Sequence, residues 1–237
     1  MNNKSKECVD HFSDVSDQWA DLYRNKPSFQ DRLDLFVRHL HQEVKPPANV
    51  LDYGCGSGVI SLKLADSGYD VTGLDGSLGM IDAANAEKNR RAVDNVKFEH
   101  IDSSDFSLEC EGYDAIVCSS VIEYVEDDIS LVEKLGGALK PGGVLLISVP
   151  HSRSLLGRLE DAVAAVGVRK RGSEDADLWY SKRRYKRGQF TDQLRGISFK
   201  DFKYTYFEVP ILGKLGVTLS RSGFVGVMML VSAKKGG

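Results

Sequence analysis

The sequence has no run of about 18 apolar residues, so no membrane-spanning helix is expected. Its first residues, MNNKSKECVDHF, lack the apolar core of a secretion signal, which points to a cytoplasmic protein. Cysteine is scarce. The four present (Cys8, Cys55, Cys110 and Cys118) show no metal-ligand spacing, so no metal site is expected and the thiols read as reduced, with Cys118 in a buried strand. A Gly-Lys-Ser/Thr ending is also missing from the one glycine-rich stretch, which excludes a phosphate-cradling P-loop there.

What is present fits an ordinary globular chain of 237 residues, 42% hydrophobic and 27% charged, long enough for one large α/β domain. The net charge of −3 hides an asymmetry. Residues 1–150 carry 14 Lys and Arg against 26 Asp and Glu, whereas residues 151–237 carry 17 against 8. The basic excess concentrates in RKRG (169–172) and SKRRYKRG (181–188). Such runs serve either as a solvated loop surface or as a site for an anionic partner: a lipid surface, an acidic substrate or nucleic acid.

Residues 10–42 read as helical. Phe12, Val15, Trp19, Leu22 and Tyr23 share one face, and Leu33, Phe36, Val37 and Leu40 share another, before Pro46 and Pro47. From there strands and helices alternate. NVLDY, YDVTGLD, VKFEHID, YDAIVCSS and VLLISVP read as strands one to five. Helices lie between them in SGVISLKLADSG, in SLGMIDAANAEKNRRA with Ser77 as N-cap, and in DISLVEKLGGALK, which a PGG turn follows. The fourth strand is nearly all apolar, as a strand covered on both faces must be. FKDFKYTYFEV (199–209) reads as a sixth strand and FVGVMMLVSAKK (224–235) as a last, antiparallel one. The alternation predicts an α/β, doubly wound, mostly parallel sheet, with ligands outside the carboxyl ends of its strands.

The first strand ends in VLDYGCGSGVI (50–60), with Gly54, Gly56 and Gly58 at alternate positions. Three glycines in five residues predict a close approach of backbone to something. A dinucleotide fingerprint would need Gly or Ala at 59, where Val stands. Asp52 just before the loop sits poorly beside a pyrophosphate and well beside an ammonium group. Asp75 ends the second strand 17 residues after Gly58, where a carboxylate accepts both ribose hydroxyls. The site therefore asks for a nucleoside and a cation without a pyrophosphate, which fits S-adenosylmethionine. Asp102 and Ser103, just past the third strand, are placed to read an adenine amine, and Met80 either packs on adenine or belongs to the core.

VLDYGCGSG, VTGLDGS, YDAIVCSSVIEYVED and LKPGGVLLISVP, in that order and spacing, resemble the class I S-adenosylmethionine-dependent methyltransferases over residues 10–150. The layout is most similar to that of the ubiquinone-biosynthesis O-methyltransferases and related small-molecule enzymes. The resemblance implies a Rossmann-like seven-stranded sheet of order 3-2-1-4-5-7-6 with the last strand antiparallel. It implies one domain over 1–237: a helical cap (1–45), a cofactor-binding core (46–150), a lid insertion (151–190) and C-terminal strands (191–237). It further implies that Gly54, Gly56 and Gly58 clasp the methionine part, that Asp75 binds ribose, that Gly76 belongs to the same cofactor site, that Ser119 lines the pocket, and that Arg32 reaches the cofactor carboxylate. Those relatives carry Glu-His where this chain has Glu123-Tyr124, so metal-assisted chemistry is not implied.

Methyl transfer aligns a nucleophile in line with the sulfonium and, for a hydroxyl, removes a proton. His151, after the fifth strand, is the best-placed base candidate, although a loop histidine without a catalytic task fits equally. Tyr124 and Glu123 are placed to shape the acceptor pocket. Within 151–190, Leu155, Leu156, Leu159, Val163 and Val166 form an apolar helical face ending in cations, which suits a lid over the acceptor or a peripheral membrane contact. The expected activity is methyl transfer to a hydroxyl or amine of a small molecule. The fourth strand ends in CSSVIEY rather than Asn/Asp-Pro-Pro-Tyr/Phe, and no Pro-Cys nucleophile occurs, so a nucleic-acid acceptor is the lesser alternative. A non-catalytic cofactor-binding protein is the other.

Overall fold

Ala115, Ile116, Val117 and Cys118 are completely buried, because the strand that holds them is covered on both faces. In a computed structural model, which describes residues 3–102, 107–154, 183–207, 221 and 226–237, that strand is β4 (Tyr113–Ser119). Around it lie β1 (Asn49–Tyr53), β2 (Asp70–Asp75), β3 (Val96–His100), β5 (Leu139–Pro150), β6 (Phe199–Phe207) and β7 (Met228–Lys235). They form one seven-stranded sheet of order β3-β2-β1-β4-β5-β7-β6. Strands β1 to β5 pair in parallel, and β7 runs antiparallel to both β5 and β6. Order and direction are those expected from the sequence.

Helices cover both faces. On one, α2 (Ser16–Asn25), α3 (Pro27–Glu43), α4 (Val59–Asp66) and α5 (Leu78–Arg91) enclose a core of Tyr23, Phe36, Leu40, Leu64, Val50, Val117 and Leu146. On the other, α6 (Asp128–Ala138) and the helix after the insertion, α7 (Arg187–Gly196), pack Leu135, Phe190 and Leu194 against Ile116, Ile147 and Val231. Burying alternate residues of each strand on opposite faces is what seats the two helical layers.

Three local departures matter. The N-terminal helices number three, since α1 (Asn3–Asp14) stops at Val15, whose ψ of 7° breaks the helix between Phe12 and Trp19. Pro27 then opens α3, at a position where its missing N–H costs nothing. Helix α6 ends at Ala138 rather than running through Lys140. Leu139 is fully buried and pairs with Tyr113, and Lys140 reaches Asp114 at 2.7 Å. The expected PGG turn is thus an irregularity inside β5, with the register shifting between Tyr113 and Ala115 and Gly142 at φ +75°. No helix among the described residues is long and apolar enough to cross a membrane. The core of the expected lid, 155–182, lies outside the described residues, as do Ser103, 208–209 and 224–225 of the two expected C-terminal strands.

Candidate active site

The first parallel strands end together, and the chain leaves β1 through the glycine loop. Gly54, Gly56 and Gly58 all take the left-handed conformation, at φ +71°, +54° and +76°. Two of them are required by the protein's own packing. A Cβ on Gly54 would stand 2.3 Å from Val121 Cγ2, and one on Gly58 would stand 2.5 Å from Phe98 Cζ. Gly56 has more room: its nearest neighbours would be Trp19 Nε1 at 3.4 Å and Met80 Sδ at 3.9 Å. The close approach read from the sequence is therefore made largely by the side chains of Val121, just past β4, and Phe98 of β3.

Asp75 closes β2 and organises the loop. Its Oδ2 accepts the Gly56 amide at 2.8 Å, and its Oδ1 accepts the Ser77 amide at 2.8 Å. Burial pushes its carboxyl up, against the pull of the Ser77, Gly56 and Gly76 amides and of His100. Ser77 caps α5 by accepting Met80 N at 3.2 Å, as expected. The Gly76 carbonyl accepts from His100 Nε2 at 3.1 Å, which gives His100 a structural task. Asp102 follows β3 and is exposed beside this edge. Met80 is 1% exposed and lies under the loop.

Asp52 does not meet the loop amides. It is 1% exposed and accepts a hydrogen bond from Ser61 Oγ of α4 at 2.5 Å. Burial raises its carboxyl to about 7, with the Ser61 bond opposing and Asp75 adding to the rise. The Cys55 thiol is pushed well up by burial and stays protonated. The hydroxyls of Ser57, in the loop, and Ser119, at the end of β4, are buried and have no hydrogen-bond partner among the described residues. Buried polar groups are normally satisfied, so these two orphaned hydroxyls, one in the loop after β1 and one at the end of the neighbouring β4, leave hydrogen-bonding capacity for a polar ligand. The three left-handed glycines and the Asp75 carboxylate complete a donor and acceptor set that fits a nucleoside with an amino-acid tail.

The N-terminal helices roof this crevice. Trp19 stands over Gly56 and meets Phe12 edge-on at 5.5 Å and Phe29 at 5.9 Å. Phe12 meets Tyr124 at 5.6 Å, so Tyr124 belongs to the same cover. Ser13 Oγ bonds Ser77 Oγ at 2.7 Å and fastens α1 to the start of α5. Arg32 is buried behind the cover, with its guanidinium 5.0 Å from the Phe29 ring and 5.7 Å from the Phe207 ring. Sequence reasoning found Phe12 and Trp19 as a helical stripe but missed them as site residues. Their signal was the aromatic spacing, and the break at Val15 that turns them toward the loop has no Pro or Gly to announce it.

His151 lies elsewhere. On β5, Leu145, Ile147 and Val149 face the α6–α7 core, and His151 continues that face. Its ring packs on Tyr206 at 4.8 Å and is 2% exposed. Asp52 and Ser119 alternate with Leu51 and Cys118 and so face the α4 layer instead. Beside His151 the insertion's two ends are tied together. Tyr185 N donates to Pro150 O at 2.8 Å, and Ser152 N donates to Tyr185 O at 3.0 Å. The Tyr185 hydroxyl donates to Asp128 Oδ2 at 2.6 Å, and Arg183 pairs with Asp128 Oδ1 at 2.7 Å. Glu123 is 2% exposed beneath this junction.

A family model described as a methyltransferase domain matches residues 26–198. The ubiquinone biosynthesis O-methyltransferase of Coxiella burnetii (strain Dugway 5J108-111) is 28% identical over 147 residues, which are 62% of this chain and 62% of that protein. The matched region thus spans under two thirds of that relative. Among solved structures, magnesium protoporphyrin IX methyltransferase from Synechocystis PCC 6803, with bound SAH, superposes with a TM-score of 0.71 at 18% identity, over 97% of this chain and 99% of that one. An S-adenosylmethionine-dependent methyltransferase from Mesorhizobium loti gives 0.63 at 23% identity, over 90% and 99%. At these identities the solved structures establish the fold.

Proposed function

This chain belongs to the methyltransferase-domain family, and from that premise we propose that it transfers a methyl group from S-adenosylmethionine to a hydroxyl or amine of a small molecule. The observation that carries the proposal is the Asp75 carboxylate, fixed by the Gly56 and Ser77 amides beside the orphaned hydroxyls of Ser57 and Ser119. Asp75 has lone pairs left for two ribose hydroxyls, and Gly76 supports it from the backbone. Gly54, Gly56 and Gly58 let the loop lie against the methionine part, with Ser57 and Ser119 as its polar contacts. Asp52 supplies negative charge toward the ammonium group, and Arg32 supplies positive charge toward the carboxylate. Met80 floors the adenine, and Asp102 and Ser103 are assigned to its amine. When bound, S-adenosylmethionine supplies an electrophilic methyl on a sulfonium.

The protein's task is then alignment and exclusion of water. The cover of Phe12, Trp19, Phe29 and Tyr124 keeps solvent from the crevice, which strengthens every charge interaction inside it. Tyr124 is assigned to orient the acceptor through its hydroxyl. His151 is assigned as proton acceptor for an acceptor entering from the α7 side; an amine acceptor needs no such base. The test is incubation of the full chain with methyl-labelled S-adenosylmethionine and a panel of phenols, quinols and amines. Acceptor-dependent label transfer is expected. Cofactor binding without transfer to any class, followed by transfer to RNA or DNA, would replace the small-molecule assignment.

A further inference from the structure

The outer edge of the sheet carries a second concave feature. A groove of about 1170 Å³ runs between α7 and β6, from Phe199 and Lys200 at one end to Tyr206 and His151 at the other. The strand segment from 199 to 206 spans about 23 Å at the usual rise per residue. The groove exceeds the roughly 300–1,000 Å³ of a typical small-molecule pocket. Five cations line it (Arg153, Lys186, Arg187, Arg195 and Lys200) against two carboxylates, Asp192 and Asp201. Asp192 is already paired with Arg195 at 3.1 Å. Arg153, Lys186 and Lys200 have no carboxylate partner among the described residues.

The guanidinium groups are held in place. Arg187 lies over the Tyr204 ring at 4.0 Å, and Arg195 lies over the Phe202 ring at 5.5 Å. Tyr204 is itself fixed, its hydroxyl bonded to Thr191 Oγ1 at 2.5 Å. A guanidinium stacked on a ring loses one face but keeps its N–H edge, the edge that recognises carboxylate and phosphate. The same stacking covers one face of the Tyr204 ring and one of the Phe202 ring, which leaves less of both open to unpaired bases. Helix α7 adds its first turn, which has no side-chain cap and places Arg187, Gly188 and Gln189 on the groove.

We propose that the α7–β6 groove is a binding site for a phosphate-bearing ligand, with Lys186, Arg187 and Arg153 as the anion contacts and Phe202 and Tyr206 as apolar walls. The excess of cations favours a multiply charged phosphate over a single carboxylate. The groove lies on the opposite sheet face from Asp52 and Ser119, and His151 at its end is the one lining residue it shares with the methyl-transfer proposal.

The test is calorimetric titration of the full chain with inorganic pyrophosphate at low salt, repeated with the Lys186→Gln/Arg187→Gln double variant, with Arg153→Gln, and with Lys97→Gln on the opposite edge. The groove predicts one-to-one binding that weakens at least tenfold in the double variant, weakens in Arg153→Gln and is unchanged in Lys97→Gln. S-adenosylhomocysteine titrated into the same variants reports folding and cofactor binding separately and is expected to be unaffected. No pyrophosphate binding by the wild type, or equal losses in Lys97→Gln and the double variant, overturns the site. Co-sedimentation with phosphatidylglycerol vesicles separates the sources. Vesicle binding that pyrophosphate competes away assigns a lipid headgroup, and pyrophosphate binding without vesicle binding assigns a soluble phosphate ester; both support the site. Single-stranded oligouridine binding at least tenfold more tightly than pyrophosphate overturns the assignment in favour of a polynucleotide.

Discussion

The backbone amide of Gly56 donates to the Asp75 carboxylate across 2.8 Å, so the acid that ends β2 holds the loop that leaves β1. The two features most prominent in the sequence, the glycine loop and the second-strand acid, are thus one unit. Loss of the acid should loosen the loop as well as remove a ligand contact.

The loop glycines are not equivalent. Gly58→Ala sets a Cβ 2.5 Å from Phe98 in a left-handed conformation. Overpacking of about 1–3 kcal/mol adds to conformational strain of about 1–2 kcal/mol. Gly56→Ala meets nothing closer than 3.4 Å and carries the strain alone. Urea denaturation is expected to show the larger loss for Gly58→Ala; the reverse ranking would contradict the packing described.

If Asp52 faces the ammonium group of the cofactor as proposed, cofactor affinity is expected to depend on pH. Its carboxyl is raised to about 7 in the folded protein, from about 3.9 in an unfolded chain. Because the folded value is the higher one, the stability this group contributes is complete below about pH 4 and is lost as pH rises through about 7. Binding of a cation beside it runs the other way and favours the ionised form. S-adenosylmethionine affinity is therefore expected to rise between pH 6 and 8, and Asp52→Asn is expected to remove Asp52's share of that rise while leaving the protein at least as stable at pH 8. Calorimetry across pH with both proteins checks the sign.

Trp19→Ala removes the side chain above Gly56 and its contacts with Phe12 and Phe29. The crevice should then release cofactor faster, with dissociation accelerated severalfold and association little changed. Stopped-flow binding separates the two rates.

Tyr185→Phe deletes a 2.6 Å bond to the Asp128 carboxylate. A hydrogen bond to a charged group is worth about 1.5–3 kcal/mol, and a destabilisation in that range is expected by denaturation. Combination with Arg183→Gln should be non-additive, since both side chains hold one carboxylate.

The parallel core and the loop between β1 and α4 were legible because apolar runs such as YDAIVCS and glycines at fixed spacing are local signals, whereas the strand order came from the resemblance to the methyltransferase family. The end of α6 was not legible: Leu139 and Lys140 are good helix formers, and pairing with Tyr113 and Asp114 overrides that preference. The face taken by His151 depends on the parity of β5 after the Gly142 irregularity, which sequence alone does not count. The assignment of Asp52 to Ser61 arises from the α4 layer closing on β1, a tertiary event. The cations of the outer groove come from residues as far apart as Arg153 and Lys200, and only the fold sets them together.

The most direct test of the cofactor site is calorimetric titration of S-adenosylmethionine and S-adenosylhomocysteine into the wild-type chain and Asp75→Ala. Micromolar binding that falls at least tenfold in the variant, about 1.4 kcal/mol, is the predicted result. Absence of binding by the wild type, or equal affinity in both proteins, would contradict an S-adenosylmethionine site organised by Asp75.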